Sequence, residues 1–200
     1  IFQLFWFTET DKVYFIKDNQ YQRNTINRII CYFNPKLFGL LNKYTKIRLE
    51  KKRILQTSQD NSWLTSIDKQ LFDIGKSIIE IKVDFLGKFQ NFLSENSKVF
   101  FNFEIIPSFG LLNTDNFLEN FKKGLSDENQ WPNDHKLQSH NDPKKSVFEI
   151  THNKKNISQL SSAQSKMLIL SLLLSCAKFL DQNKITIFLI DEIFDNFDIL

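Results

Sequence analysis

Apolar positions change period several times along the chain, and each change marks an element. Ile1 to Phe7 is apolar apart from Gln3 and predicts a buried strand. Asn34-Pro35 predicts a helix start, with the cap at Asn34 and the proline in the first turn, where a missing N–H costs nothing. Leu37, Leu40, Leu41, Tyr44 and Ile47 share one face of that helix, which is expected to run to about Leu55. A polar break, Gln56 to Ser62, follows. Leu64, Ile67, Leu71, Ile74, Ile78, Ile81 and Phe85 then recur at alternating steps of three and four, the seam of a heptad repeat, and predict a long helix to about Glu95. A connection this short predicts an antiparallel helical hairpin.

Val99, Phe101, Phe103 and Ile105 alternate with Phe100, Asn102 and Glu104, as in a half-buried strand. Phe117, Leu118, Phe121 and Leu125 place a short helix near Asp115–Leu125. Ser126 to Ser146, polar with Pro132 and Pro143, is expected to be a long surface loop. Val147–Thr151 and the turn residues 152–156 give a strand and its reversal. An apolar helix from about Ser162 to Leu180 precedes Ile185–Ile190, a strand apolar on both faces, which belongs inside a parallel sheet. The expected organisation is therefore 1–33, an opening segment leading into a helical lobe; 34–98, the hairpin lobe; 99–146, strand, short helix and polar loop; and 147–200, an α/β part.

Composition adds little against this reading. Hydrophobic residues make up 42% and charged residues 24% of the chain, ordinary globular usage that excludes wholesale disorder. Twenty-six Lys+Arg against 23 Asp+Glu leave +3, which permits nucleic acid as a partner without requiring it. The skew is 21 Phe against 5 Gly and 4 Pro, as codon drift in an AT-rich genome produces. Ile1 is no initiator and Met167 is the only methionine, so the sequence reads as a fragment or an incomplete reading frame. No secretory signal is read at the start, and the run Met167–Leu180 is too short to span a bilayer. Cys31 and Cys176 lack metal or redox spacing, which suits packed thiols in a reducing cytoplasm. His135, His140 and His152 likewise lack ligand spacing.

Two segments carry candidate chemistry. Asp191-Glu192 directly follows the apolar strand, where open α/β sheets bind ligands, and apolar-then-Asp-Glu is the Walker B pattern. In that role Asp191 holds Mg²⁺ through water and Glu192 orients the attacking water; the same pair also serves as a simple acidic strand end. Upstream, Ser161 with Gln164 three residues on is a capping box that starts the apolar helix whether or not a ligand binds. A serine-initiated helix is also an anion site. Gly75-Lys76-Ser77 mimics the end of a phosphate loop but lies inside the heptad helix with Gln70 at the first glycine position, and is rejected. Lys43, Lys46, Arg48, Lys51, Lys52 and Arg53 give the first hairpin helix a basic face, usually a solvated one and alternatively a phosphate-contacting one.

Signature, helix, strand, then Asp-Glu is the order of the ABC-type ATPases, and the chain resembles the RecF family of SMC-like repair ATPases over almost its whole length. The carrying motifs are Leu160-Ser161-Ser162-Ala163-Gln164-Ser165-Lys166, Leu189-Ile190-Asp191-Glu192 with Phe197-Asp198, Tyr44-x-Lys46, Glu50 to Leu55, Trp63-Leu64-x-x-Ile67 and Gly75. Leu4 to Thr8 and Arg23…Arg28-Ile29-Ile30 also fall where the family has related motifs. The resemblance implies an α/β fold, the C-terminal part of an ABC/SMC-type P-loop ATPase head with an inserted antiparallel hairpin lobe. It implies ATP and Mg²⁺ as cofactors of the whole family protein, and catalytic roles for Asp191 and Glu192. Ser161, Ser162, Ala163 and Gln164 are then expected to meet the nucleotide of a second protomer, with Asp198 in the D-loop. The implied partners are single-stranded and gapped duplex DNA, a second copy in the presence of ATP, and recombination mediator proteins, in the cytoplasm and away from membrane. Lys43, Lys46, Lys51, Lys52 and Arg53 are the expected DNA contacts.

Departures from the family pattern bear on activity. Ala163 replaces the signature glycine; Asp142-Pro143-Lys144-Lys145-Ser146-Val147 keeps the proline and basic character of Gly-Pro-His-Arg-Ser-Asp and loses its His and Asp; Gln22 and Asn27 replace an arginine and an aspartate. No phosphate-loop motif is present, so the chain alone is not expected to hydrolyse ATP. A motif-eroded DNA-binding and dimerisation remnant, and a different SMC-like ATPase, are the alternatives. A purely structural coiled coil explains the hairpin but not the apolar strand ending in Asp-Glu.

Overall fold

The computed structural model describes residues 2–57, 61–96, 103–107, 114–130, 142–145, 148–180 and 185–190. In chain order the elements are β1 (Phe2–Phe7), α1 (Glu9–Lys17), α2 (Asn19–Phe33), α3 (Lys36–Thr57), α4 (Asn61–Glu95), β2 (Glu104–Pro107), α5 (Thr114–Gln130), β3 (Phe148–His152), β4 (Lys155–Asn156), α6 (Ser162–Phe179) and β5 (Ile185–Ile190). The chain divides into two compact units: Ile1–Phe33 with Phe85–Ile106 and Phe148–Leu200, and Asn34–Asp84 with Pro107–Val147.

In the first unit β1 and β5 pair in parallel, with Phe2 opposite Ile185 and Phe7 opposite Ile190. The parallel pairing expected for β5 is present. One face of the pair is open, however: Trp6, Ile187 and Leu189 are all exposed, because a strand is covered on both faces only when layers pack on each side. Thr8 closes β1 and caps α1 in a reciprocal box with Asp11, and Phe7 meets Phe15 edge to face at 6.0 Å. Asp18 ends α1 and caps α2, accepting from Gln20 N at 2.7 Å. Ile26, Ile29 and Ile30 of α2 are buried. The rings of Phe33, Phe85, Phe89, Phe92 and Phe179 pack with centroids 5.2 to 5.9 Å apart. A second sheet has the order β2-β3-β4. β3 and β4 reverse through Asn153 and Lys154, both at positive φ, as a two-residue hairpin turn demands. The part of the expected strand before Phe103 lies outside the described residues.

In the second unit, Asn34 accepts from Lys36 N at 3.2 Å and starts α3 as expected. Leu37, Tyr44, Ile47 and Ile54 of α3 are buried, as are Leu64, Ile67, Leu71, Ile74 and Ile78 of the heptad seam on α4. α5 buries Phe117, Phe121 and Leu125, and Phe121 lies against both Tyr44 and Phe72. Gly75 sits in the middle of α4, confirming that Gly75-Lys76-Ser77 is helical; a Cβ there would lie 2.5 Å from Phe121 Cε1 and 2.9 Å from Pro143 Cγ.

The expected loop from Ser126 is corrected at both ends that are described. α5 continues to Gln130, because Glu128 is drawn inward by two cations, and Asp142–Lys145 forms a turn that buries Pro143. Lys82, fully buried, donates to Pro143 O at 3.0 Å. Lys144 donates to Thr45 Oγ1 at 2.8 Å.

Candidate nucleotide and nucleic-acid sites

The helix start at Ser161 has the geometry its sequence predicts. Ser161 Oγ accepts from Gln164 N at 3.2 Å, and Gln164 Oε1 accepts from Ser161 N at 3.1 Å. The N–H groups of Ser162 and Ala163, first in α6, have no acceptor within the helix, and its first turn carries no acidic residue. Ser161 to Gln164 are all exposed, while Ser165 and Lys166 are buried beneath them. These are the conditions an anion needs: free donors, the positive end of an 18-residue helix dipole and open access. The residues present therefore fit a phosphate group. Gln164 Oε1 is engaged in the cap.

α6 leads by way of residues 181–184, outside the described set, to β5, whose last residue Ile190 lies opposite Phe7. Asp191, Glu192 and Asp198 also lie outside the described residues, as do His135 and His140. Among the described residues no cluster of His, Cys, Asp and Glu is arranged to hold a metal ion. Neither Cys31 nor Cys176 is in a disulfide, and burial pushes the Cys176 thiol well above its ordinary range, which makes it inert.

The basic residues of α3 divide in two. Lys43, Lys46, Lys52 and Arg53 are exposed. Lys51, expected among them, is 1% exposed and points inward: its Nζ lies 2.6 Å from Asp68 Oδ1 and 3.1 Å from Glu128 Oε2, and donates to Leu125 O at 2.7 Å. Arg48 also turns in, donating from Nη1 and Nη2 to the two Glu128 carboxylate oxygens at 2.6 and 2.7 Å. Burial raises the Glu128 carboxyl, but the bonds and charges of Arg48 and Lys51 outweigh it and hold the group below the usual carboxylate range. Tyr44 is pushed far up by burial and then by the facing Asp142 carboxylate, so its hydroxyl stays protonated. No sequence spacing announces this network, in which Arg48 and Glu128 lie 80 residues apart.

No protein-family model matches the chain. Over 96% of its length it is 27% identical to the DNA replication and repair protein RecF of Rickettsia prowazekii (strain Madrid E). The chain is similar to RecF. The RecF of Rickettsia massiliae (strain Mtu5) matches at the same 27% identity over 96% of the chain. A solved structure described as the recombination mediator protein RecF-ATPrS in the RecFOR pathway superposes with a TM-score of 0.74 at 20% identity, covering 98% of this chain and 57% of that one. A second, described as RecF-ATP, gives 0.71 at 20% identity over 94% of this chain and 54% of that one. The resemblance to RecF drawn from the motifs is thus borne out, and the fold is that of the matching part of these RecF structures. The chain spans about half the length of the curated RecF relatives it matches, 56%.

Proposed function

We propose that the chain is the signature-bearing part of a RecF-like, ATP-dependent DNA-binding protein of recombinational repair and replication restart. The observation that carries the reading is the capped, exposed start of α6 at Ser161, followed by a strand in a parallel pair and then, in sequence, by Asp191-Glu192. The likeness to RecF across nearly the whole chain supports it. In this reading α6 offers the N–H groups of Ser162 and Ala163 to the γ-phosphate of an ATP held by a second protomer. Asp191 is assigned to Mg²⁺ through water and Glu192 to the water itself, with Asp198 in the segment between protomers. ATP, when bound, supplies the phosphate that bridges two copies.

The helical lobe is read as an inserted antiparallel hairpin, with Lys51 of α3 reaching Asp68 of α4. Its exposed cations Lys43, Lys46, Lys52 and Arg53 are the proposed contacts to gapped or single-strand/duplex junction DNA; Lys51 is withdrawn from that set by its burial. Recombination mediator proteins are the proposed protein partners, in a cytoplasmic setting. No helix among the described residues is long and apolar enough to cross a membrane. Ser161→Arg tests the reading in a polypeptide that also carries a phosphate loop. It is expected to block ATP-dependent dimerisation while each protomer still binds nucleotide. Loss of both together, or of neither, contradicts it.

A further inference from the structure

An open groove of about 550 Å³ lies in the helical lobe between the last turns of α3 and the first turn of α4. Lys46, Glu50, Arg53 and Thr57 line it at steps of four, three and four, one stripe of a helix; Leu49 and Ile54 add apolar surface, and Trp63 stands across from them on α4. Lys46, Leu49, Glu50, Arg53, Thr57 and Trp63 are all exposed, and Trp63, at 49%, shows about half its surface. A basic face explains the cations. It explains neither an exposed indole beside them nor a carboxylate among them.

We propose that this groove takes one unstacked base of a single-stranded nucleic acid. The base stacks on Trp63, as bases do on aromatic side chains, and Lys46 and Arg53 hold the flanking phosphates. Glu50, which repels phosphate, accepts from the exocyclic amine of the base. The proposal rests on the DNA-binding reading above and deepens it: the site selects single strands, because a paired base is buried in its stack. It also selects base type. Cytosine and adenine present an amine to Glu50, whereas thymine presents only a ring N–H flanked by two carbonyls, which repel the carboxylate.

The test uses the full 200-residue chain and fluorescence anisotropy with labelled twelve-nucleotide oligodeoxycytidine and oligodeoxythymidine. The chain is expected to bind oligodeoxycytidine more tightly. Trp63→Ala should weaken it by about fivefold or more, the loss of one base stack, while Trp63→Phe keeps most of the affinity. Glu50→Gln, which keeps the fold contacts and removes the charge, should erase the preference for cytosine over thymine. Binding that survives Trp63→Ala unchanged, with the salt dependence intact, overturns the base pocket and leaves the DNA reading standing. No binding of either strand by the unaltered chain overturns both. Displacement of the oligonucleotide by oligoglutamate at equal charge overturns the pocket in favour of an acidic peptide.

Discussion

Replacing Glu128 with glutamine keeps the volume of the side chain and removes the charge on which the helical lobe is organised. The carboxylate takes two bonds from Arg48 at 2.6 and 2.7 Å and lies 3.1 Å from Lys51 Nζ, with side-chain exposures of 5% for Glu128 and 1% for Lys51. In the variant Lys51 keeps Asp68 and Leu125 O, but two cations lose their shared counter-ion. Removing one partner of a buried ion pair costs ~3–5 kcal/mol, and the 24% exposure of Arg48, which lets water recover part of the loss, sets the expectation at the lower figure. A 3 kcal/mol loss lowers the melting temperature of a chain this size by roughly 6–12 °C. The pH dependence follows from the lowered Glu128 carboxyl. The stabilisation is fully present above the unfolded carboxyl value, 4.5, and is lost as pH falls through the lower folded value. Circular-dichroism melts of both proteins at pH 7 and at pH 3 measure the two effects, with a large gap at pH 7 that narrows at pH 3. A gap below about 1 kcal/mol at pH 7, or one as large at pH 3, would refute the reasoning.

Gly75→Ala should destabilise by about 1–2 kcal/mol although alanine is the better helix former, because the new methyl meets Phe121 and Pro143; urea denaturation showing a gain would mean the lobe has slack there. Ser161→Ala removes the cap of α6 and should cost about 1 kcal/mol in the same assay, with no loss pointing to a frayed helix start. The 200-residue chain alone should hydrolyse no ATP above background, since it carries no phosphate-loop motif; steady-state turnover abolished by Asp191→Asn would contradict this.

Local rules made the elements legible. The capping box at Ser161 and the heptad seam of α4 are each written within a few residues and have the geometry those residues predict, whereas the turn expected over 152–156 narrows to Asn153-Lys154, and β5 pairs in parallel but leaves Ile187 and Leu189 exposed. What was not legible depends on partners far along the chain. Lys51 reads as one more exposed lysine until Glu128 and Asp68 are placed beside it. Ser126–Gln130 reads as loop because its polarity hides the inward turn of Glu128. The groove at Trp63 was hidden for the same reason: its residues come from two helices, and neither helix alone shows a site.

The central claim, that α6 and the segment after β5 form half of an ATP-bridged dimer, is tested most directly by light scattering with and without ATP. The protein is this chain expressed in one polypeptide with a phosphate-loop half of RecF type, carrying Glu192→Gln so that bound ATP persists. The account predicts a monomer without ATP and a dimer with it, the dimer lost when Ser161→Arg is added. A protein that binds ATP and stays monomeric would contradict it.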